Sequence, residues 1–187
     1  AELLLAEAQG CTRIALYPVF GPDPTAAHRT AFRALVKRRA EGTPVAYLLG
    51  RREFYSLSFR VSSDVLIPRP ETEFVVVGLL DLVKQRAKER GEAAAREELA
   101  IADVGTGSGI LAVCAAKYVP TATVTAIDIS PAALAVAKSN AADHGVSERI
   151  EFALSDLFAA IDSSRQFDVI VSNPPYVSES ELAAASR

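Results

Sequence analysis

From Leu99 onward, short apolar runs alternate with segments of helical period, and no other feature constrains the fold as strongly. The pattern predicts strands over 99–104, 122–128, 149–154 and 167–172, with helices over 108–118 and 131–142. A strand-then-helix order repeated in this way specifies an α/β fold built on a parallel, doubly wound, Rossmann-like sheet. Open sheets of this kind bind ligands beyond the C-terminal ends of their strands. The loops after those four runs are therefore where chemistry is to be sought.

The first half reads differently. Residues 1–50 predict short helices: Leu3, Leu4 and Ala8 keep helical spacing, and Gly10, Pro18, Gly21, Pro22 and Pro24 then break the chain. A longer helix over 25–40 places Phe32, Leu35 and Val36 inward and Arg29, Arg33 and Lys37 outward, with Gly42 closing it. Thr43 is expected to cap the next short helix, with Pro44 in its first turn. Alternation of Phe54, Leu57, Phe59 and Val61 predicts a β-hairpin. The expected domains are a helical unit over 1–50, a hairpin linker over 51–64 and the sheet domain over 65–187. A helix running to about Arg90 opens the last of these, followed by a charged, alanine-rich and exposed stretch over 91–98.

Bulk properties exclude several classes. A net charge of -3 argues against a general polyanion binder. Cys11 and Cys114 match no metal-ligand spacing and read as buried thiols of a reducing, cytoplasmic compartment. No metal site is expected. The run Phe74–Leu80 is too short to span a bilayer and soon meets Asp81. No signal peptide is read, and the chain contains no methionine, so both ends are expected to continue further.

Between the first strand and first helix lies Asp103-Val104-Gly105-Thr106-Gly107-Ser108-Gly109. Glycines allow a tight turn and close approach of a ligand. The dinucleotide fingerprint requires a third glycine where Ile110 stands, and the phosphate-loop Gly-Lys-Ser/Thr is absent. Asp128, at the end of the second strand, is placed either to accept both hydroxyls of a ribose or to serve as a capping acid. Asp156 follows the third strand beside Leu157; it either accepts an adenine amino proton while Leu157 packs on the ring, or forms a turn. These loops describe a pocket for a nucleoside without phosphates, and S-adenosylmethionine fits that description.

The fourth strand ends in Asn173-Pro174-Pro175-Tyr176. Consecutive prolines cannot extend a central strand and leave a stiff turn. Carbonyl acceptors, an amide and an aromatic face suit a planar NH2 group; an ordinary proline-rich loop is the other reading.

Together these residues resemble a class I S-adenosylmethionine-dependent methyltransferase, in which Asn-Pro-Pro-Tyr marks members that methylate planar nitrogens. The N-terminal half narrows the resemblance. Gly42-Thr43-Pro44-Val45-Ala46-Tyr47-Leu48-Leu49-Gly50, Glu53-Phe54-Tyr55 and Leu66-Ile67-Pro68-Arg69-Pro70-Glu71-Thr72-Glu73 resemble the HemK/PrmC family. Membership implies methylation of the glutamine in the Gly-Gly-Gln loop of peptide chain release factors, with the helical domain gripping the factor. It also implies a helical segment before Ala1 and further strands after the Asn-Pro-Pro-Tyr turn; a sheet ending at its fourth strand leaves an unpaired edge. A relative that modifies a ribosomal-protein glutamine lacks Arg-Pro-Glu-Thr, so Arg69-Pro70-Glu71-Thr72 favours the release-factor enzyme.

The expected roles follow. The Asn173 side-chain oxygen and Pro174 carbonyl accept the substrate NH2 protons, with Pro175 stiffening the turn and Tyr176 against the amide plane. Asp103 reaches the cofactor's amino group, Gly105, Gly107 and Gly109 line its methionine portion, Asp128 holds the ribose, and Asp156 holds the adenine with Leu157 on its ring; Thr106, Ser108, Ile129 and Asn173 are the other residues expected at the cofactor. Arg69 and Glu71 lie either near the active site or in a clasp between domains. The Arg33, Lys37, Arg38 and Arg39 cluster either meets an acidic release factor or is a solvated helix face. His28 and His144 are expected to be structural. A monomer without direct nucleic-acid contact is expected. The rivals are an adenine-N6 nucleic-acid methyltransferase, which should show a basic groove or an added recognition domain, and a non-catalytic module that binds cofactor or release factor without turnover.

Overall fold

The structure is a computed structural model that describes residues 1–17, 23–90 and 97–174. Helices α1 (Glu2–Gln9), α2 (Ala26–Ala40) and α3 (Val45–Leu49) come first. The hairpin β1 (Arg51–Phe54) and β2 (Leu57–Arg60) follows, then α4 (Glu73–Arg90). The sheet unit is β3 (Leu99–Val104), α5 (Ile110–Tyr118), β4 (Ala122–Asp128), α6 (Pro131–Asp143), β5 (Ile150–Leu154) and β6 (Val169–Ser172). The expected α/β class holds, and both β3 and β4 fall where their sequence pattern places them.

Local chemistry explains the helix ends. Thr25 caps α2 by accepting from the His28 amide, while the Thr25 amide donates to His28 Nδ1, a capping box closed by histidine. At the other end the Gly42 amide donates to Arg39 O and the Thr43 amide to Arg38 O, the paired bonds of a Schellman turn. Thr43 therefore belongs to that turn and is not the cap of α3; the cap position is Pro44, with no side-chain bond. The inward stripe expected on α2 is also incomplete. Phe32 and Leu35 are half-buried, Val36 is exposed, and no residue of α2 is buried.

The hairpin turns through Tyr55 and Ser56, both with positive φ, the conformation whose twist suits a two-residue connection. Phe54 and Phe59 lie edge to face with centroids 6.2 Å apart and join the main core. Burying a side chain of that size contributes about 1.5–3 kcal/mol.

The sheet runs β5-β4-β3-β6 with every neighbouring pair parallel. One face carries Ile101, Val124, Ala126 and Ile150, packed in one cluster with residues of α4, α5 and α6. Helix α5 is buried from Ile110 to Ala116, as expected of a helix apolar all round. The opposite face, Ala102, Val104 and Ile127, is met by Ala153, Ile161 and Phe167. Among the described residues, then, the helices of the sheet unit share one face. The chain steps outward from β3 to β4 to β5, then returns to place β6 on the other side of β3. That reversal puts a topological switch point between β3 and β6, the crevice where open parallel sheets take ligands.

Candidate active site

Three loops converge on the C-terminal edge of the sheet. The first leaves β3 through Gly105, Gly107 and Gly109, all with positive φ. A side chain on Gly109 would put its Cβ 2.9 Å from Ala137 Cβ on α6, so this residue serves close packing of the loop against that helix. The loop holds itself together. The Gly105 and Thr106 amides both donate to Ile127 O, the Gly107 amide to Asp128 Oδ2, and the Gly109 amide to Thr106 O. Phosphate-binding loops keep such amides turned outward to the ligand. Here they are engaged by the protein, which disfavours a phosphorylated ligand and agrees with the absent fingerprint glycine.

Asp103 is buried at the end of β3. Its Oδ2 accepts from the Thr106 hydroxyl at 2.6 Å and from the Ala112 amide in the first turn of α5 at 3.0 Å. Its Oδ1 has no partner among the described residues. Burial pushes the carboxyl up to about 6, against the lowering effect of its two hydrogen bonds, and the Asp128 charge pushes the same way as burial. A buried carboxylate with one vacant oxygen is a site for a cationic or hydrogen-bond-donating group. Thr106 and Ser108 are buried too, and Thr106 acts on Asp103.

The second loop presents Asp128. Its Oδ2 accepts from the Gly107 amide at 2.8 Å and its Oδ1 from the Ser130 amide at 2.9 Å, so both oxygens are fixed and each keeps an acceptor direction for a ligand hydroxyl. Ser130 caps α6 by accepting from the Ala133 amide. The third loop is tied to the second: the Ser155 amide donates to Asp128 O, and the Ser155 hydroxyl accepts from the Ala160 amide. This brings the turn carrying Asp156 and Leu157 beside Ile129. Ile129 is 69% and Leu157 64% exposed, two large aliphatic side chains left uncovered at adjoining strand ends. A flat apolar ring would cover them, with the exposed Asp156 at its edge.

At the switch point, β6 delivers Asn173. The Ser172 hydroxyl donates to Val104 O at 2.8 Å, pinning the end of β6 to β3. The Asn173 Nδ2 donates to Thr72 Oγ1 at 2.9 Å, and its Oδ1 accepts no hydrogen bond among the described residues. Pro174 is exposed. Pro175 and Tyr176 lie outside the described residues, as does most of the charged stretch expected over 91–98.

Three residues not expected at the site take part in building it. Thr72 is buried in the 3-10 turn Pro70–Thr72 at the head of α4. Asn140, fully buried on α6, accepts from the Arg60 amide through Oδ1 and donates from Nδ2 to Arg60 O and Ser108 O. It joins the hairpin to the glycine loop. A polar residue on the inner face of an otherwise alanine-rich helix is the signal that marks it in the sequence. Glu73 acts similarly, its Oε1 accepting from the Tyr55 amide in the hairpin turn. Arg69 and Glu71 are exposed and make no side-chain hydrogen bond or ion pair among the described residues.

The remaining expectations are structural. His144 ends α6, its Nε2 lies 2.9 Å from Ser58 O, and its ring packs on Phe59. Cys114 is buried, which pushes its thiol up to about 12, whereas Cys11 is only half-buried. The basic residues of α2 lie on an exposed face, with Lys37 4.0 Å from Glu41. No group of side chains suited to a metal ion occurs among the described residues, and none of their helices is long and apolar enough to cross a membrane.

Comparison with known proteins gives the family. The chain is 50% identical over 181 residues to the release factor glutamine methyltransferase of Rhodopirellula baltica, covering 97% of this chain and 59% of that protein. It is 42% identical over 187 residues to the protein of the same name from Koribacter versatilis, covering 100% of this chain and 62% of the relative. The chain thus spans about three fifths of the length of these relatives. Among solved structures, the N-terminal domain of human METTL16 in complex with SAH superposes with a TM-score of 0.53 at 20% identity, over 72% of this chain and 52% of that one, a likeness of fold. Residues 1–50 match the PrmC N-terminal domain. Residues 91–186 match the methyltransferase small domain, and the chain belongs to that family.

Proposed function

We propose that this chain carries the catalytic corner of an S-adenosylmethionine-dependent enzyme that methylates the side-chain amide nitrogen of the glutamine in the Gly-Gly-Gln loop of peptide chain release factors. The names of its relatives support the reaction, and the observation that carries the reading is Asn173 at the switch point, one end of its amide anchored and the other open. In this reading residues 1–50 grip the release factor, 51–64 link, and 65–187 form the methyltransferase domain.

The residues fit the cofactor class. The internally satisfied glycine loop suits a ligand without phosphates, the open oxygen of Asp103 an amino group, Asp128 a pair of ribose hydroxyls, and Ile129 and Leu157 an adenine ring edged by Asp156. When bound, S-adenosylmethionine supplies an electrophilic methyl group. An amide nitrogen is a weak nucleophile because its lone pair is delocalised, so the protein's contribution is placement. Asn173 Oδ1 and Pro174 O accept the two substrate N–H bonds and fix the nitrogen; Pro175 and Tyr176 complete the corner. Such positioning supplies about 7–11 kcal/mol of barrier reduction. The amide proton leaves only after the nitrogen has become strongly acidic, so no side chain has to act as a strong base.

The intact protein, incubated with release factor and methyl-labelled cofactor, is expected to label one glutamine, located by peptide sequencing. Asn173→Ala should lower the rate by about 10²–10³, the cost of losing a preorganised hydrogen-bonding group, with cofactor affinity kept. Label on adenine in nucleic acid, or unchanged transfer by Asn173→Ala, contradicts the proposal.

A further inference from the structure

The Arg-Pro-Glu-Thr segment contains a buried hydroxyl that the reading above does not use. Thr72 is 3% exposed, and its Oγ1 accepts from Asn173 Nδ2 across 101 residues of sequence. The two residues come from separate elements. Thr72 comes from the turn ahead of α4, held by its own amide donating to Arg69 O, and the following helix is fixed in the core through Val76 and Leu79. Asn173 comes from the end of β6, held by the Ser172 bond to Val104 O.

We infer that Thr72 is a positioning residue for amide methylation: its hydroxyl, accepting from Nδ2, holds the Asn173 carboxamide in place with Oδ1 as its open end. An asparagine carboxamide has a donor end and an acceptor end related by a half-turn of its last torsion. A substrate NH2 needs an acceptor. Turned the wrong way, Asn173 presents an NH2 to an NH2, and the substrate amide is repelled. An anchor on Nδ2 leaves Oδ1 as the open end. The hydroxyl does this without charge, and burial shields the bond from exchange with water. This inference rests on the proposed amide substrate, and it assigns the threonine of the motif a task distinct from the exposed Arg69 and Glu71.

The test compares Thr72→Val, Thr72→Ser and wild type in the intact protein. Removing the hydroxyl should lower kcat for release-factor methylation by roughly tenfold to a hundredfold, the cost of a misplaced reacting group, with the cofactor dissociation constant unchanged. Thr72→Ser should recover most of the rate. On an Asn173→Ala background, Thr72→Val should have no further effect on kcat, whereas a merely structural role would reduce the rate again. Should Thr72→Val fail to fold, Thr72→Ala replaces it in the same series. Wild-type kcat in the hydroxyl-free variant, failure of serine to rescue, or full additivity with Asn173→Ala each overturns the inference. An independent arm follows the side-chain NH2 resonances of Asn173 by ¹⁵N NMR: they should move to solvent-exposed values in Thr72→Val and stay in Thr72→Ser. If wild type labels no glutamine, the proposed reaction fails; unmoved resonances in Thr72→Val refute the Thr72 anchor itself.

Discussion

Asp103 shows how one buried group joins loop structure to ligand chemistry. Its folded value of about 6 lies above the ordinary 3.8 because burial penalises the charge. A carboxyl raised in this way favours the fold when protonated. Its contribution is whole below the unfolded value and is lost as pH rises through the folded one, a change of about 2 kcal/mol between pH 4 and 7. Asp103→Asn should remove that slope. Its ligand-free stability relative to wild type is expected to rise across this window, as denaturant titrations at several pH values would show. Equal slopes for both proteins would mean that Asp103 is ionised without penalty. Elsewhere on the sheet, Thr125 has a buried hydroxyl with no partner among the described residues. Thr125→Val should therefore raise stability by about 1 kcal/mol, read as a higher Tm, since an unsatisfied polar atom is replaced by a methyl.

At the scale of elements, the hairpin and glycine loop are held as one piece by Asn140. Asn140→Ala would leave Ser108 O without its partner at a buried position and Arg60 N and O without theirs at part-buried ones. The expected loss is roughly 3 kcal/mol, with faster hydrogen exchange at the Arg60 amide. This element-level join was not legible in the sequence, because it links positions 80 apart through one side chain. The strands were legible for the opposite reason. β3 and β4 are largely apolar, largely buried runs, so pattern and structure coincide. β6 begins at Val169, later than its apolar run suggests, because Asp168 is used sideways. Its amide donates to Ala100 O, its Oδ2 accepts from the Ala100 amide, and its Oδ1 pairs with Arg86 at 2.7 Å. Helix α5 likewise starts at Ile110 because Gly109 adopts positive φ to pack on α6. The inward stripe expected on α2 failed because periodicity names an apolar face without showing what covers it.

For the whole molecule, the return of the chain to the far side of β3 brings Asp103, Asp128 and Asn173 to one edge of the sheet. The candidate residues were readable one by one from strand-end positions; their convergence was readable only through the parallel α/β rule. The Thr72–Asn173 bond was not, since the two lie 101 residues apart in sequence. The central claim concerns one atom pair at that edge, and a crystal structure of the intact protein with S-adenosylhomocysteine and a Gly-Gly-Gln peptide measures it directly. The glutamine amide nitrogen should lie about 3 Å from both Asn173 Oδ1 and Pro174 O, with the cofactor sulfur facing it. A glutamine bound away from Asn173, or a cofactor whose sulfur points out of the crevice between β3 and β6, would contradict the account.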